Sequence, residues 1–173
     1  MGFPYSSGDV LTAADLNASS GLVLLGDYTV PDYQGTYTIS SIWTSTHQHY
    51  RVIVSGGSTS AGAGLLFSVS GAGSTHYSTV AYYTIGAGTL APATRSADTL
   101  ADIGGLLGSV IDFCGVGDSA NYTYASCLSA DGNYYRSSAA VVKTTGIPTS
   151  ITFQPNAGTF YQTKIRVYGY NNG

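Results

Sequence analysis

Charged side chains are scarce in this chain, and glutamate is missing altogether. Charged residues make up 9% of the 173 positions, with nine acidic residues against six Lys and Arg, whereas an ordinary soluble domain has about 25%. Glu and Lys favour helices because their side chains lose little freedom there. Their scarcity, combined with 23 Gly and 15 Tyr, disfavours helical bundles and doubly wound α/β folds and favours an all-β fold.

Three further absences narrow the class of protein. Lys and Arg form no cluster and the net charge is −3, so no nucleic-acid partner is predicted. No apolar run approaches the ~20 residues that span a bilayer, which argues against membrane insertion. The first residues have no basic segment followed by an apolar one, so we expect no signal peptide. Hydrophobic residues reach 43%, which disfavours disorder and predicts one folded domain.

Cysteine is also rare, and histidine offers little for a metal site. Cys114 and Cys127 are predicted to be reduced, buried thiols, and a disulfide between neighbouring strands is the open alternative. His47 and His49, if both on one strand, would point to the same side ~7 Å apart. Two nitrogens are too few for a firm metal site, so we favour exposed or hydrogen-bonded histidines and predict neither a metal nor a cofactor.

Residues 1–20 differ in character from the rest of the chain. Thr12 can cap a short helix, with Asp15 three residues later completing a capping-box-like pair. A helix of two turns is marginal alone in water, so it must pack against this chain or against another protein. We therefore predict that residues 1–20 form a separate segment with a short helix that packs against either of these. Its candidate contacts are Val10, Leu11, Asp15, Leu16 and Asn17.

Residues 21–173 show the pattern of short strands separated by turns. Tyr50, Val52 and Val54 alternate with Arg51, Ile53 and Ser55, and the last segment alternates similarly, so one face of each strand should lie in a core. Nine or ten such segments predict an antiparallel β-sandwich or barrel. The predicted strands are 22–25, 36–43, 49–55, 65–70, 77–85, 108–114, 122–128, 134–143, 150–154 and 163–170.

The longest break in the strand pattern covers residues 86–107. We predict a long excursion there, with one helical turn starting at Ser96. Such a loop either carries a binding function or simply crosses between sheets.

No arrangement of residues indicates catalysis. There is no Gly-x-Ser-x-Gly motif, and no Ser-His-Asp set follows from spacing. Asp112 lies inside an apolar strand pattern and is the best candidate for a carboxylate of raised pKa, as glycoside hydrolysis requires. Its neighbours Ile111 and Phe113 would occupy the opposite face, so we favour an Asp112 that faces solvent or a partner. The chain is predicted not to be an enzyme.

Tyrosine is the one over-represented side chain with a binding character. In the doublets Tyr82-Tyr83 and Tyr134-Tyr135, one ring of each must point outward from its strand. Tyr suits both subunit interfaces and sugar stacking, because a large apolar ring carries a polar tip. We favour the interface, and carbohydrate contact is the alternative for these four residues.

Two stretches resemble structural proteins of tailed-bacteriophage virions. Residues 8–17, Gly-Asp-Val-Leu-Thr-Ala-Ala-Asp-Leu-Asn, are similar to a short element near the start of many phage tail and fibre-like proteins. Residues 147–153 and 164–169, the latter reading Lys-Ile-Arg-Val-Tyr-Gly, resemble the closing strands of their β-sandwich modules. Residues 42–43 and 50–53 resemble an early hairpin of the same group.

The resemblance implies a structural protein of the virion, assembled in the host cytoplasm. It implies a jelly-roll-like body, usually trimeric, with an N-terminal segment that attaches to capsid or tail proteins. The chain has no extended shaft, so it is expected to be a short surface fibre or a capsid decoration (cement) protein. The alternative is a carbohydrate-binding, receptor-recognition module of the tail that contacts a host surface glycan. A polysaccharide-degrading enzyme is the third, least favoured alternative.

Overall fold

The structure is a computed structural model that describes residues 21–56, 58–59, 64–69, 76–84, 90–97, 101–105, 108–116, 122–130, 134–142 and 147–170. These residues contain strands and no helix, and so no helix long and apolar enough to cross a membrane. The predicted anchor segment, residues 1–20 with its short helix, lies outside the described residues and stays a prediction.

The described residues form antiparallel strands connected by turns. The strands are β1 (Leu22–Thr29), β2 (Tyr37–Ser40), β3 (His49–Ser55), β4 (Ser58–Thr59), β5 (Gly64–Val69), β6 (His76–Thr84), β7 (Leu90–Ala97), β8 (Ala101–Gly105), β9 (Gly108–Cys114), β10 (Thr123–Ala130), β11 (Tyr134–Val142), β12 (Ser150–Pro155), β13 (Phe160–Tyr161) and β14 (Lys164–Tyr170).

The strands assemble into a large, a small and a minimal sheet. The large sheet has eight strands in the order β1-β14-β3-β9-β10-β11-β6-β7, the small sheet has four in the order β2-β12-β5-β8, and β13 pairs with β4. All pairings are antiparallel. The all-β, antiparallel prediction is therefore confirmed in a sandwich-like arrangement.

One hydrophobic core lies between the large and the small sheet. Tyr50, Val52 and Val54 of β3 are fully buried, as the alternation of this segment predicts. The rings of Phe113 from the large sheet and Phe67 from the small sheet meet edge to face, with centroids 5.3 Å apart. Edge-to-face contacts add to the free energy of burial, so this pair joins the two sheets at their centre.

Where apolar and polar residues alternate clearly, the predicted strand bounds agree closely with the structure. The predicted segments 49–55 and 108–114 coincide with β3 and β9. The segment predicted at 36–43 is shorter, because β2 ends at Ser40 and Ser41 adopts a left-handed φ of 60°. A left-handed residue turns the chain out of the extended conformation, so Ile42 and Trp43 are buried in the core from a loop rather than from a strand.

The prediction of an irregular excursion at residues 86–107 was wrong. This region contains β7 and β8, and Ser96, where a helical turn was expected, lies inside β7. β7 is an edge strand of the large sheet, and Pro92 within it is paired opposite Ala81. Proline is tolerated at a sheet edge, where its missing N–H is not needed by a second neighbour. Pairing with β6 therefore overrides the weak strand propensity of this segment.

Candidate interaction surface on the large sheet

The large sheet turns one face away from the core, and we call this side the outer face. It consists of the residues that alternate with the buried ones, such as Arg51 between buried Tyr50 and Val52. In β9 and β10 the same alternation places Asp112 and Tyr124 on this side. The outer face is thus the accessible surface of the central strands β14, β3, β9, β10 and β11.

An Arg–Asp pair lies at the centre of the outer face. Strands β3 and β9 place Arg51 directly opposite Asp112. The Arg51 guanidinium donates from Nε to Oδ1 at 2.7 Å and from Nη2 to Oδ2 at 2.8 Å, which is the bidentate geometry that Arg and carboxylate favour. The two side chains are 34% and 31% exposed, so this pair is shielded from water more than an ordinary surface ion pair.

Tyr170 completes this central cluster from β14. Its hydroxyl donates to Asp112 Oδ1 at 3.3 Å, and the Arg51 guanidinium carbon lies 5.8 Å from the centroid of its ring, within range of a cation–π interaction. Burial raises the pKa of the Tyr170 hydroxyl, and the negative charge of Asp112 raises it further. The cluster therefore holds Tyr170 protonated and holds both Asp112 oxygens in hydrogen bonds.

A shallow depression of about 400 Å³ opens beside this cluster. Arg51 and Asp112 form its polar side, Val110 and Leu128 its apolar side, and Ser126 contributes to its floor. The volume falls within the range of small-ligand sites, roughly 300 to 1,000 Å³. Arg51 and Asp112 are already bonded to one another, and the other polar side chains of the lining are Ser126, Ser137 and Ser138.

Large apolar side chains are exposed on the outer face and, in the case of Leu24, on the adjoining strand β1. Leu24 is 52% exposed, Tyr124 53%, Leu128 53% and Tyr135 45%. These four account for half of the exposed large apolar side chains of the described residues. Such a concentration on one sheet face is typical of a surface that contacts another molecule.

The tyrosine doublets named by the sequence belong to adjacent strands of this sheet. The register of β11 and β6 pairs Tyr135 with Tyr83, Arg136 with Tyr82, and Tyr134 with Thr84. Tyr135 is exposed, as expected for one ring of its doublet. The side chains of Tyr82, Tyr83 and Tyr134 lie outside the described part of the structure, so their assignment to a contact surface stays a prediction.

The two histidines do not project from one strand, so the geometry considered for a shared metal is wrong. His47 precedes β3 and is 8% exposed. Its ring packs edge to face on core residue Tyr50, with centroids 5.9 Å apart, and Nδ1 donates to the Tyr170 carbonyl oxygen at 2.8 Å. His49, by contrast, starts β3 and pairs with Cys114. Among the described residues, no cluster of three or more His, Cys, Asp or Glu could hold a metal.

The cysteines are free thiols, as predicted, but only one of them is buried. Cys127 lies in the core at 3% exposure, whereas Cys114 is exposed on the outer face. The prediction of two buried thiols is therefore wrong for Cys114, because it follows Phe113 at the end of β9 and points away from the core. Burial of the sulfur, and to a lesser extent the charge of Asp112, raises the pKa of the Cys114 thiol. This thiol is not an activated nucleophile.

The sequence placed Arg51 and Asp112 on water-facing sides of separate strands but did not bring them together. Their partnership depends on β3 pairing with β9, two strands that are distant in the chain. Tyr170 joins them because β14 pairs with the other edge of β3. The alternation of residues along each strand predicts which side of the sheet a side chain is on. Only the order of strands in the sheet determines which of these side chains are neighbours.

Comparisons with known proteins identify no family for this chain. No protein-family model matches the sequence, and no curated protein is significantly similar to it. Among solved structures, the chain has a faint likeness to the crystal structure of the infectious bursal disease virus VP2 subviral particle, with 13% identity and a TM-score of 0.16. The alignment covers 86% of this chain and 40% of that chain. A likeness this weak carries no argument about function.

Proposed function

We propose that the chain is a non-enzymatic structural protein of a bacteriophage virion, either an oligomeric surface fibre or a capsid decoration protein. The observation that carries this proposal is the outer face, which combines exposed apolar side chains with an internally satisfied Arg51–Asp112 pair. A surface of this kind loses little on desolvation, because its partly exposed charges are already paired, and it gains from covering its apolar groups. It suits contact with further copies of the chain.

The remaining parts of the proposal come from the resemblance to phage virion proteins. In this proposal, residues 1–20 attach to capsid or tail proteins. The contacts are provided by Val10, Leu11, Asp15, Leu16 and Asn17. The body is jelly-roll-like and forms a homotrimer. The site of action is the virion, after assembly in the host cytoplasm. An all-β body with antiparallel sheets is compatible with these expectations.

The state of Asp112 supports a binding role over glycoside hydrolysis. A general acid must give its proton to the glycosidic oxygen, and its partner carboxylate must reach the sugar. Both Asp112 oxygens instead accept bonds from Arg51, and Oδ1 also accepts from Tyr170. A carboxylate so engaged acts as a fixed structural group, so we do not propose a reaction at this depression.

Association through the outer face can be tested by sedimentation in solution. Leu128→Asp places a charge among the exposed apolar groups, and it is expected to shift the wild-type oligomer towards monomer. Ile147→Asp is the matched control, because Ile147 is similarly exposed, at 43%, but precedes β12 of the small sheet. A monomeric wild-type chain, or equal dissociation by both variants, would contradict association through this face.

Attachment by the N-terminal segment needs a separate test, because it concerns a different part of the chain. Leu16→Asp should leave the body folded but prevent incorporation into particles, since it removes an apolar contact from the proposed anchor helix. Ile147→Asp serves again as the control that is expected to be incorporated. Unchanged incorporation of Leu16→Asp would refute the anchor.

A further inference from the structure

A pair of exposed tyrosines is displayed at one end of the molecule, far from the central cluster of the outer face. Tyr33 lies in the turn after β1, and Tyr161 belongs to β13. Tyr33 is 74% exposed, Tyr161 is 38% exposed, and their ring centroids lie 6.0 Å apart at an interplanar angle of 50°. We call this pair with Asp32 and Gln162 the tyrosine tip. It lies before β14 (Lys164–Tyr170), whose far end carries Tyr170 about 20 Å from Lys164 along the strand.

The backbone of the tyrosine tip adopts an energetically unfavourable conformation at two residues. Tyr33 has a left-handed φ of 66° and Gln162 one of 51°, although neither is glycine. Bulky residues rarely adopt this conformation, and clusters of such outliers persist where the surrounding structure enforces them, often at functional sites. An exposed Tyr has no packing reason to occupy such a position, because its ring is largely in water.

Hydrogen bonds from neighbouring segments enforce the conformation. The Tyr33 amide donates to the Phe160 carbonyl oxygen at 2.8 Å, and the Phe160 amide donates to the Gln34 carbonyl oxygen at 2.8 Å. Asp32 Oδ1 accepts from the Gln162 backbone N–H at 2.7 Å. Phe160 itself is fully buried, so the turn is fastened to the core. The rings are therefore pre-positioned and lose little freedom when they bind.

The chemistry around the rings selects the class of ligand. Two tilted aromatic faces offer apolar surfaces. The side-chain amide of Gln162 donates to the Tyr161 hydroxyl at 3.4 Å, and the carboxylate of Asp32, the residue before Tyr33, is bonded to the Gln162 backbone through Oδ1. A carboxylate in a chain of net charge −3 disfavours phosphate-bearing ligands. A neutral polyhydroxylated ring fits instead, because its C–H face stacks on tyrosine while its hydroxyls bond to carboxylate and amide.

We infer that the tyrosine tip is a saccharide-binding site, with Tyr33 and Tyr161 as stacking residues and Asp32 and Gln162 as hydrogen-bonding residues. This site is distinct from the tyrosine doublets that the sequence nominated for carbohydrate contact. It also goes beyond the proposed structural role, since it would give a virion surface protein the means to recognise a glycan. The inference does not depend on the outer face or on residues 1–20.

A glycan array probed with the full-length chain tests the inference. The array should carry bacterial surface oligosaccharides and mammalian glycans, and the strongest binder is then titrated by calorimetry. Tyr33→Asn removes the ring yet keeps a residue that tolerates the left-handed backbone, so it is expected to stay folded and to weaken binding about five- to tenfold. Tyr161→Ser should weaken binding as well. Ile147→Thr, at an exposed apolar residue that belongs to neither the outer face nor the tip, should leave binding unchanged.

Two results would overturn the inference. The first is an array on which the wild-type chain binds no saccharide; loss of particle adsorption to cells by Tyr33→Asn would then assign the tip to a protein partner. The second is binding that Tyr33→Asn and Tyr161→Ser leave unchanged. A thermal melt of Tyr33→Asn at or above that of the wild type establishes that its loss of binding is not a loss of fold.

Discussion

The Arg51–Asp112 pair should contribute measurable coupling to stability, unlike most surface ion pairs. At about 4 Å between charge centres and an effective dielectric constant of about 20, the attraction amounts to roughly 4 kcal/mol. Much of it is offset by the cost of taking both groups partly out of water. Exposed pairs couple by about 0.2 to 1 kcal/mol. Because the side chains are about one-third exposed and bonded twice, we expect a coupling of about 1 to 2 kcal/mol.

A double-mutant cycle measures this coupling free energy directly. Arg51→Met keeps the apolar stem and removes the guanidinium, and Asp112→Val removes the carboxylate with a side chain suited to a strand. Each single variant leaves an unpaired, half-buried charge, whereas the double variant leaves none. The double variant should therefore unfold at a higher urea concentration than the additive expectation, by roughly 0.5 to 1 M for an m-value of about 2 kcal/mol/M.

The unfolding transition has a convenient intrinsic reporter. Trp43, the single tryptophan of the chain, is 6% exposed and packs edge to face on Tyr50 and Phe113, with centroids 4.7 and 5.4 Å away. Its fluorescence should change when the core opens, so urea titrations of all four members of the cycle can follow one signal.

A second ion pair on the same face provides the matched control. Arg166 donates from Nε to Asp27 Oδ2 at 3.1 Å, and these side chains are 42% and 47% exposed. Its coupling should be smaller than that of the central pair and should disappear in 1 M salt, where the Debye length is about 3 Å. Additive effects of Arg51→Met and Asp112→Val, within about 0.3 kcal/mol, would refute the view that the central pair is a shielded, fixed unit.

Three further outcomes follow from individual contacts. Gly169→Ala should destabilise the fold by about 1 to 3 kcal/mol in urea titrations, because its Cβ would meet the buried His47 imidazole at 2.7 Å. Gly108→Ala has open space around the new Cβ and should cost far less. Equal effects of the two variants would contradict this contact. The pKa of the Tyr170 hydroxyl is raised in the folded chain. Its contribution to the free energy of unfolding is therefore fully present below the ordinary tyrosine pKa and is lost as the pH rises through the folded-state pKa. Tyr170→Phe should therefore flatten the alkaline decline of the melting temperature, and an unchanged decline would contradict it. Iodoacetamide at pH 7.5 should modify Cys114 slowly, since its thiol pKa is raised, and Cys127 only after unfolding; rapid Cys127 labelling of the folded chain would contradict its burial.

The fold could be predicted where side-chain alternation is strong. The segments that became β3 and β9 alternate residue by residue, and their bounds and core-facing sides were predicted correctly. Alternation works because one face of each strand must be apolar. β7 carries Pro92 and small or polar residues, so no local signal marks it as a strand, and only its pairing with β6 makes it one.

The central cluster and the tyrosine tip could not be predicted from the sequence, for two physical reasons. The central cluster unites β3, β9 and β14, whose adjacency is a property of sheet order and not of local pattern. The tyrosine tip depends on a left-handed backbone at Tyr33, a conformation for which Gly or Asn is the usual signal. Pro31 and Asp32 favour a turn, but nothing local indicates that the turn displays two rings.

The number of copies of this chain in purified virions tests the central proposal most directly. Quantitative mass spectrometry against the major shell protein gives that number for the full-length chain. The account predicts that the chain is present in the particle. A copy number of the order of the shell protein would identify a decoration protein, and a small multiple of the tail symmetry would identify a fibre. Absence of the chain from purified particles would contradict the account.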